Sequence, residues 1–374
     1  MTLKRPSSEF FSGIMSAEPA LARIGDVWQK RIGSLREYEV VRDGNIFGAN
    51  IFKGSIFSSD QADAYRRLGT LQDDYRGRPF CDVFSGSVVE NEAGCSFVIR
   101  SRHDIRQNRI DPDLYFDVIL HDLKLVHGIG CVTERRLKAR GYCTLDDLTR
   151  HPRFRTAATA VLRRLHNPVS SDIMELVSSR HRRSHPLVLQ AAGLHAPEDF
   201  LFLDIETLGL FSRPIILIGI GTLEGQHLAI SQYLLREITE EPAALIAALT
   251  HLSADRPALV TYNGRSFDLP YLQDRLAYYG MGAINSIAHF DLLNFTRGMW
   301  RQRYPSLRLT ALEKELFGVV RYDDVPGQMV PEFYEVYLKT GNCGPLIPIV
   351  EHNRQDVLSL AKLFFHLLGE TNGS

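Results

Sequence analysis

The spacing of hydrophobic residues changes along the chain, and the changes predict four regions. Residues 1–110 are irregularly patterned and predict an N-terminal region of undefined role that is partly β. Residues 115–167 carry apolar positions at helical spacing over short stretches. Residues 168–198 predict a linker. Residues 199–370 alternate strand-like apolar runs with amphipathic helices, a pattern that is typical of an α/β domain.

The N-terminal region is predicted to contain one short helix and a pair of strands. The helix is expected at 61–72, and the strands at 80–87 and 95–100. The segment 90–94 has the composition of a turn between them. Nothing in this region points to chemistry beyond that of a small β-containing domain.

From residue 200 onward the pattern predicts a mixed sheet flanked by helices. Apolar runs predict strands at 200–203, 214–221, 228–235 and 258–262. Helical spacing predicts helices at 242–252 and 270–279 and a mainly helical remainder over 284–368. Three early strands followed by alternating helix and strand is the order of an RNase H-like fold.

Four acidic residues stand where these predicted elements end or pack. Asp204 and Glu206 follow the first strand, and residues two apart in an extended chain point to the same face. Asp268 follows the fourth strand through a glycine-containing turn, and Asp356 lies on the last amphipathic helix. Taken singly, each has an ordinary reading as a sheet rim, a helix cap or a polar edge. Together they supply the oxygen ligands that two Mg²⁺ or Mn²⁺ ions require.

A histidine lies beside the last of these carboxylates. His352 precedes Asp356 by four residues, which places both on one face of a helix. An imidazole titrates near neutrality, so His352 is the predicted general base for the attacking water. Asp291 ends another strand-like run and is predicted either to support the metal ligands or to be structural.

The motifs that carry these residues resemble a known family. The phrases FLDIETLGL, YLLREITEEPAAL, LVTYNGRSFDLPYL and EHNRQDVLSL are similar to YprB-like RNase H-fold proteins, within the DEDD superfamily of 3′→5′ exonucleases. The resemblance covers about residues 199–368. It implies two metal ions held by Asp204, Glu206, Asp268 and Asp356. In that superfamily a tyrosine lies four residues before the last aspartate, or a histidine five before it. His352 follows one branch in residue type and the other in spacing.

Three further residues near Asp268 are candidates for contacting the terminal nucleotide. They are Asn263, Phe267 and Tyr271. The two aromatic rings could stack on an unpaired base. Packing inside the protein is an equal alternative for Phe267.

A second motif, at 125–138, resembles a helix-hairpin-helix. Gly128 and Gly130 permit a tight hairpin whose backbone approaches a phosphate closely. The free N–H groups at the start of the following helix favour an anion. The resemblance implies DNA binding that reads the backbone and depends on salt. An ordinary packing hairpin is the alternative. The basic residues nearby are Arg135, Arg136 and Lys138.

The distribution of charge agrees with a nucleic-acid partner without requiring one. The formal net charge is −1. Residues 131–185 hold 12 Lys and Arg against 5 Asp and Glu, whereas residues 199–374 hold 14 against 20. A basic grip beside an acidic metal site would give this asymmetry, and so would two solvated faces. The basic cluster at 180–183 is predicted to be part of the solvated linker.

Cysteine content and hydropathy narrow the protein class. The five cysteines are odd in number, and no Cys-x-x-Cys pair occurs, which predicts neither a zinc knuckle nor a disulfide framework. The first residues carry no apolar core of the kind found in signal peptides, and no apolar run is long enough for a membrane span. We therefore expect a cytoplasmic protein with no membrane partner.

The sequence thus predicts a two-metal 3′→5′ exonuclease that hydrolyses terminal phosphodiesters of nucleic acid. Single-stranded DNA is the favoured substrate and RNA the alternative, because no RNA-recognition motif is evident. Two other functions stay open at this point. One is an RNase H-fold structure-specific endonuclease, whose carboxylates would look the same. The other is a catalytically inactive nucleic-acid-binding adaptor.

Overall fold

The computed structural model describes residues 56–107, 112–166, 170–209, 212–253, 257–284, 287–321 and 324–372. The predictions for residues 1–55 lie outside this part of the chain. Within the described residues, seven strands form one mixed sheet in the order β1-β2-β5-β4-β3-β6-β7. The strands are β1 (Ser87–Asn91), β2 (Gly94–Asp104), β3 (Phe200–Thr207), β4 (Ile215–Glu224), β5 (His227–Leu234), β6 (Ala258–Thr261) and β7 (Ala288–Asp291).

The strand directions give the sheet an antiparallel half and a parallel half. β3, β4 and β5 pair antiparallel, as neighbours joined by short connections can. β6 pairs parallel with β3, and β7 pairs parallel with β6, each after a helical crossover. The four strands predicted between 200 and 262 are confirmed, with ends that shift by up to four residues.

One strand end differs in a way that matters. The prediction ended the first strand at residue 203, but β3 continues to Thr207. Pairing with β4 persists along this extension, with Asp204 opposite Gly219 and Glu206 opposite Leu217. Backbone hydrogen bonds to β4 therefore hold both carboxylates within the strand.

The N-terminal hairpin belongs to the same sheet. β2 pairs antiparallel with β5, from Phe97 opposite Leu234 to Asp104 opposite His227. The strand predicted at 80–87 is wrong: Phe80–Val83 is a short helix that begins after Pro79. Phe80 and Phe84 are four residues apart, which is helical spacing, and their rings pack 5.1 Å apart.

Helices cover both faces of the sheet. Among the described residues, none is both long and apolar enough to cross a membrane. The helices before β3 are α1 (Ile56–Asp74), α2 (Phe80–Val83), α3 (Pro112–Leu120), α4 (Cys131–Lys138), α5 (Leu145–Leu148), α6 (Arg155–His166), α7 (Ser170–Ser178) and α8 (Pro186–Leu189). Those after it are α9 (Glu241–Leu249), α10 (Asp268–Tyr278), α11 (Leu292–Trp300), α12 (Leu309–Phe317), α13 (Val330–Thr340) and α14 (Leu346–Asn372).

The interval expected to be a linker is packed into the core. α7 and α8 bury Ile173, Val177 and Leu187, which join the same apolar cluster as the helices before them. Gly193 lies so close to Tyr115 that an added Cβ would come within 2.4 Å of that side chain. The segment 170–198 therefore connects the helical module to the sheet through buried contacts.

Candidate active site

The alternation of β3 determines which side chains meet the last helix. Phe200 and Phe202 point to the α14 face, where their rings lie 4.7 and 5.8 Å from that of Phe364. Because side chains alternate along a strand, Asp204 and Glu206 continue on this face. The same strand face thus changes from apolar to acidic along its length.

Two glycines let α14 cross the sheet closely. A Cβ on Gly219 would lie 2.2 Å from Oδ1 of Asn353, and one on Gly221 would lie 2.8 Å from Cγ1 of Val357. Both glycines belong to β4, the strand next to β3. Their missing side chains provide the space in which the helix approaches Asp204.

Asn353 joins the helix to the acidic strand. Its Nδ2 donates to the carbonyl oxygen of Asp204 at 3.0 Å and to the Oδ2 carboxylate oxygen at 2.8 Å. Its Oδ1 accepts from Nε2 of Gln232 at 2.9 Å. The Nε2 of Gln232 also donates to the carbonyl oxygen of Val350 at 2.8 Å. Asp204, Gly219 and Gln232 lie in register across three strands, so a sheet row and a helix turn orient one carboxylate.

Asp268 reaches the site from the start of α10. It is 5% exposed, and one of its carboxylate oxygens accepts from the backbone N–H of Ile205 at 3.2 Å. The loop before it is organised by Asp291, which accepts from the backbone N–H groups of Asn263 (2.8 Å) and Arg265 (3.1 Å). Asp291 also caps α11 through the N–H of Leu293. Of its two predicted roles, these bonds support the structural one.

The carboxylates are mutually repulsive. Burial, and then the negative charges of the three other carboxylates, raise the pKa of Asp204 well above its usual range. Burial raises the pKa of Glu206 to about 8 and that of Asp268 to about 7. Burial also raises the pKa of Asp356, although the cations beside it act in the opposite direction. Such a cluster favours a cation, because added positive charge relieves both the desolvation and the repulsion.

His352 lies one turn before Asp356 and is held from its other side. Its Nδ1 donates to Oδ1 of Asp324 at 2.6 Å, and its Nε2 lies 3.6 Å from Oδ2 of Asp356. Burial alone would lower the pKa of His352, but the Asp324 hydrogen bond and the charges of Asp356 and Glu206 raise it to about 9. The spacing of four thus brings histidine and aspartate together, with the ring in its cationic form.

An arginine that sequence analysis did not single out also contacts Asp356. Arg321 forms an ion pair with that carboxylate. The guanidinium is anchored by fully buried Glu313, to which it donates two hydrogen bonds at 2.8 and 2.6 Å. Arg321 therefore compensates part of the negative charge at one end of the site.

The donor set fits hard divalent cations by its chemistry. Among the described residues, no group of three or more His, Cys, Asp or Glu side chains is arranged so that it could hold a metal ion as it stands. Carboxylate oxygens are nonetheless the ligands that Mg²⁺ and Mn²⁺ prefer. The four acids converge from β3, α10 and α14 and raise one another's pKa, which is the electrostatic condition that a bound cation would relieve.

The predicted nucleotide contacts separate into exposed and buried residues. Asn263 is exposed and has a left-handed backbone conformation, with φ of 67°. Phe267 is half-buried, and its ring lies 5.4 Å from that of Tyr271. Tyr271 is 8% exposed, and its hydroxyl donates to the carbonyls of Gly209 and Arg213. A ring so enclosed has no free face for a base, and its hydroxyl instead contacts Gly209 and Arg213.

Of the two glycines in the hairpin predicted at 125–138, one has a left-handed backbone conformation. Gly128 has φ of +86°, and Gly130 is the N-cap of α4. The basic side chains are exposed on the helix that follows, and Lys138 pairs with Glu134 at 3.3 Å. Thr144 begins the next helix with a reciprocal capping box that involves Asp147. The exposed basic residues are Arg135, Arg136 and Lys138.

Comparison with known proteins agrees with this geometry. Residues 201–368 match the model of the RNase_H superfamily. The C-terminal domain is RNase H-like. The matched range contains all four carboxylates and His352, so the candidate site lies wholly within the RNase H-like domain.

A curated relative covers part of the chain. The chain is 31% identical over 202 residues to "Uncharacterized protein YprB" of Bacillus subtilis (strain 168). The alignment covers 53% of this chain and 48% of the relative, so the chain spans about half the length of the curated relative it matches.

Several residues of the site were missed by sequence reasoning, and their signals differ in strength. The Ile-Gly-Ile-Gly run that contains Gly219 and Gly221 could have indicated a close approach of another element, because glycine inside a strand often does. Gln232 occupies an ordinary strand position. Arg321 and Asp324 lie between α12 and α13, in a stretch without periodicity that carries no comparable signal.

Proposed function

We propose that this protein is a divalent-metal-dependent 3′→5′ exonuclease that hydrolyses terminal phosphodiesters of nucleic acid, preferably single-stranded DNA. The observation that carries the proposal is the convergence of Asp204, Glu206, Asp268 and Asp356 in an RNase H-like domain. RNase H-like nucleases generally use divalent metals, and the four acids match that requirement.

The proposed ligands are the four carboxylates, and the proposed ions are two Mg²⁺ or Mn²⁺. When bound, such ions supply Lewis-acid activation of water and stabilisation of the leaving 3′ oxygen. The chain's own contribution is orientation. Asn353 fixes the rotamer of Asp204, the Ile205 N–H fixes Asp268, and Arg321 holds Asp356.

His352 is the proposed general base. Asp324 holds its Nδ1, which leaves Nε2 on the side of Asp356 to accept the proton of the attacking water. The imidazole can act this way only in its neutral form, and bound divalent cations would favour that form because they would offset the charges of Asp356 and Glu206 that raise its pKa. Asn263 and Phe267 are the proposed contacts to the terminal nucleotide, because both retain exposed surface near Asp268.

The helix-hairpin-helix is the proposed grip on the nucleic-acid backbone. The N–H groups at the start of α4 and the exposed basic residues after Gly130 favour phosphate. Contacts of this kind carry no base readout, so the proposal expects weak dependence on sequence and strong dependence on salt.

An end-labelled cleavage assay tests the proposal. Wild type and Asp204→Ala are incubated with 5′-labelled single-stranded DNA or RNA in Mg²⁺ or Mn²⁺, with 3′-blocked strands as controls. We expect a ladder that shortens from the 3′ end, which is absent in the variant and on blocked strands. DNA should be cut faster than RNA.

The other outcomes identify the rival functions. Internal cuts on 3′-blocked substrate would replace the exonuclease by a structure-specific endonuclease. Retained binding without metal-dependent cutting of any substrate would leave an adaptor and refute the enzymatic proposal.

A further inference from the structure

A pocket of about 230 Å³ lies along β7, outside the carboxylate site. β7 is the edge strand of the sheet, and α7, α8 and α11 supply the opposite walls. The lining includes Arg183 and Arg265, which are exposed, together with the buried His289. The functions described above make no use of this pocket.

The pocket lining carries two cations, Arg183 and Arg265, and two acids, Glu175 and Asp291, so its formal charges cancel. Glu175 lies 3.8 Å from Arg164, which offsets its charge. Asp291 accepts three backbone N–H groups, as described above, so its oxygens are already engaged. Partial burial, and then the charge of Arg183, lower the pKa of Arg265. The second effect indicates that the two guanidinium groups lie near each other.

The backbone of His289 holds one of these guanidinium groups. Its carbonyl oxygen accepts from Nη2 of Arg265 at 2.9 Å. The imidazole is 5% exposed, and its Nε2 lies 2.8 Å from the hydroxyl of Thr261. Nδ1 is buried from solvent and has no hydrogen-bond partner among the described residues. Burial lowers the pKa of the ring to about 3, so the ring is neutral.

We propose that this pocket binds a phosphate group through Arg183 and Arg265, and that its occupant is a backbone phosphate of the bound nucleic-acid strand. The proposal rests on the proposed function. Guanidinium groups suit phosphate because their planar N–H donors match two oxygens at once.

The position of the pocket favours a strand over a free ion. Arg265 lies three residues before Asp268, in the same loop, and that loop is tied to Asp291 at the end of β7. Arg183 belongs to the packed segment that joins the helical module to the sheet. The pocket therefore borders both the loop that delivers a carboxylate and the segment that leads from the proposed backbone grip.

Binding measured without catalysis tests this inference. The full chain carrying Asp204→Asn is titrated, in EDTA, into fluorescein-labelled oligo-dT, and anisotropy gives the Kd at several salt concentrations. Arg183→Gln, Arg265→Gln and the double variant are compared with Arg182→Gln. Arg182 has the same charge and is exposed, but it does not line the pocket. Thermal unfolding of each variant checks that it is folded.

We expect the double variant to weaken binding by on the order of tenfold. A plot of the logarithm of the association constant against the logarithm of the salt concentration has a negative slope. The magnitude of that slope should decrease by about 0.7 for one lost phosphate contact on a single strand. Arg182→Gln should change the affinity far less than either pocket variant. Equal losses for Arg182→Gln and Arg183→Gln would overturn the inference, because they would indicate a diffuse charge effect.

A second arm separates a strand phosphate from a free one. Inorganic phosphate is added to the parent and to the double variant while the unfolding temperature is recorded. If phosphate stabilises only the parent while oligonucleotide affinity is the same in both, the occupant is a free phosphate and the strand assignment is overturned. Because no arm requires hydrolysis, the inference can fail while the nuclease proposal stands, and the reverse also holds.

Discussion

Asn353 illustrates how an uncharged side chain can determine where a carboxylate lies. It is fully buried and bonded on both sides, to Gln232 through its oxygen and to Asp204 through its nitrogen. A buried amide in such a chain is costly to remove, because truncation leaves the partner groups unsatisfied.

Asn353→Ala should therefore reduce metal-dependent cleavage and destabilise the fold by about 1–3 kcal/mol. Denaturant unfolding and the cleavage assay measure the two effects. Glu351→Ala is the control, since Glu351 is exposed on the same helix and pairs with Arg354. A variant that cleaves like wild type would show that the amide does not position Asp204.

His289 gives a prediction about pH. Its pKa in the folded protein is about 3, below the ordinary value of 6.5. Between these values the unfolded chain binds a proton that the folded protein does not bind. The stability contributed by neutral His289 is thus complete above pH 6.5 and is lost as the pH falls toward 3.

The measurement compares wild type with His289→Gln by urea unfolding across this window. Relative to the variant, wild type should lose ~1.4 kcal/mol of unfolding free energy per pH unit as the pH falls. The comparison with the variant is needed because carboxylates whose pKa is raised in the folded protein increase the unfolding free energy as the pH falls, which is the opposite effect. A difference between the two proteins that does not change with pH would contradict the assignment of a buried neutral ring.

At the scale of elements, the crossing of α14 over β4 positions the site. The helix fits because Gly219 and Gly221 present no side chains to it. Gly219→Ala would place a Cβ against the buried Asn353, which is bonded on both sides. We expect overpacking to destabilise the fold by about 1–3 kcal/mol and to lower cleavage.

Gly282→Ala is the matched control for this substitution. Gly282 has no heavy atom within 4 Å of an added Cβ, and its φ is not positive. It should therefore leave unfolding and cleavage close to wild type. Comparable effects of the two substitutions would contradict the close approach at Gly219.

A buried ion pair joins α9, β4 and α10 behind the site. Glu241 accepts from Arg275 at 2.8 and 2.5 Å, and both side chains have 0% exposure. Glu241 also accepts from the N–H of Ile215 at 2.9 Å and from the hydroxyl of Tyr279 at 2.7 Å. The pair thus fixes the start of β4 against two helices.

Glu241→Gln should destabilise the protein by about 3–5 kcal/mol, because it leaves the Arg275 charge without its buried counter-ion. Glu335→Gln breaks the exposed pair with Lys339 and should change stability by less than about 1 kcal/mol. Denaturant unfolding of both variants makes the comparison. Similar small losses would mean that water compensates the buried arginine.

At the scale of the whole molecule, the elements with regular spacing could be predicted, and contacts between distant segments could not. The alternation along 200–206 and the amphipathic stripe after residue 350 were sufficient to predict an acidic site on one face. Asp204, Glu206 and Asp356 share this origin, whereas Asp268 follows the strand at 258–262 through a glycine-containing turn.

The residues that were missed depend on tertiary packing. Arg321 reaches Asp356 across 35 residues of chain, and Gln232 reaches Asn353 across 121. In so short an apolar run, local alternation competes with the helical spacing of Phe80 and Phe84, so the pattern alone predicts a strand there. The pairing of β2 with β5 joins the N-terminal hairpin to a strand more than a hundred residues later, which local pattern does not encode.

The central claim is that the four convergent carboxylates bind divalent cations. Calorimetric titration of Mn²⁺ into wild type and Asp204→Asn tests it most directly, with Glu335→Gln as a folded control outside the site. We predict binding to wild type and to the control, and loss of that binding in Asp204→Asn. Absence of Mn²⁺ binding in wild type, or unchanged binding in Asp204→Asn, would contradict the claim.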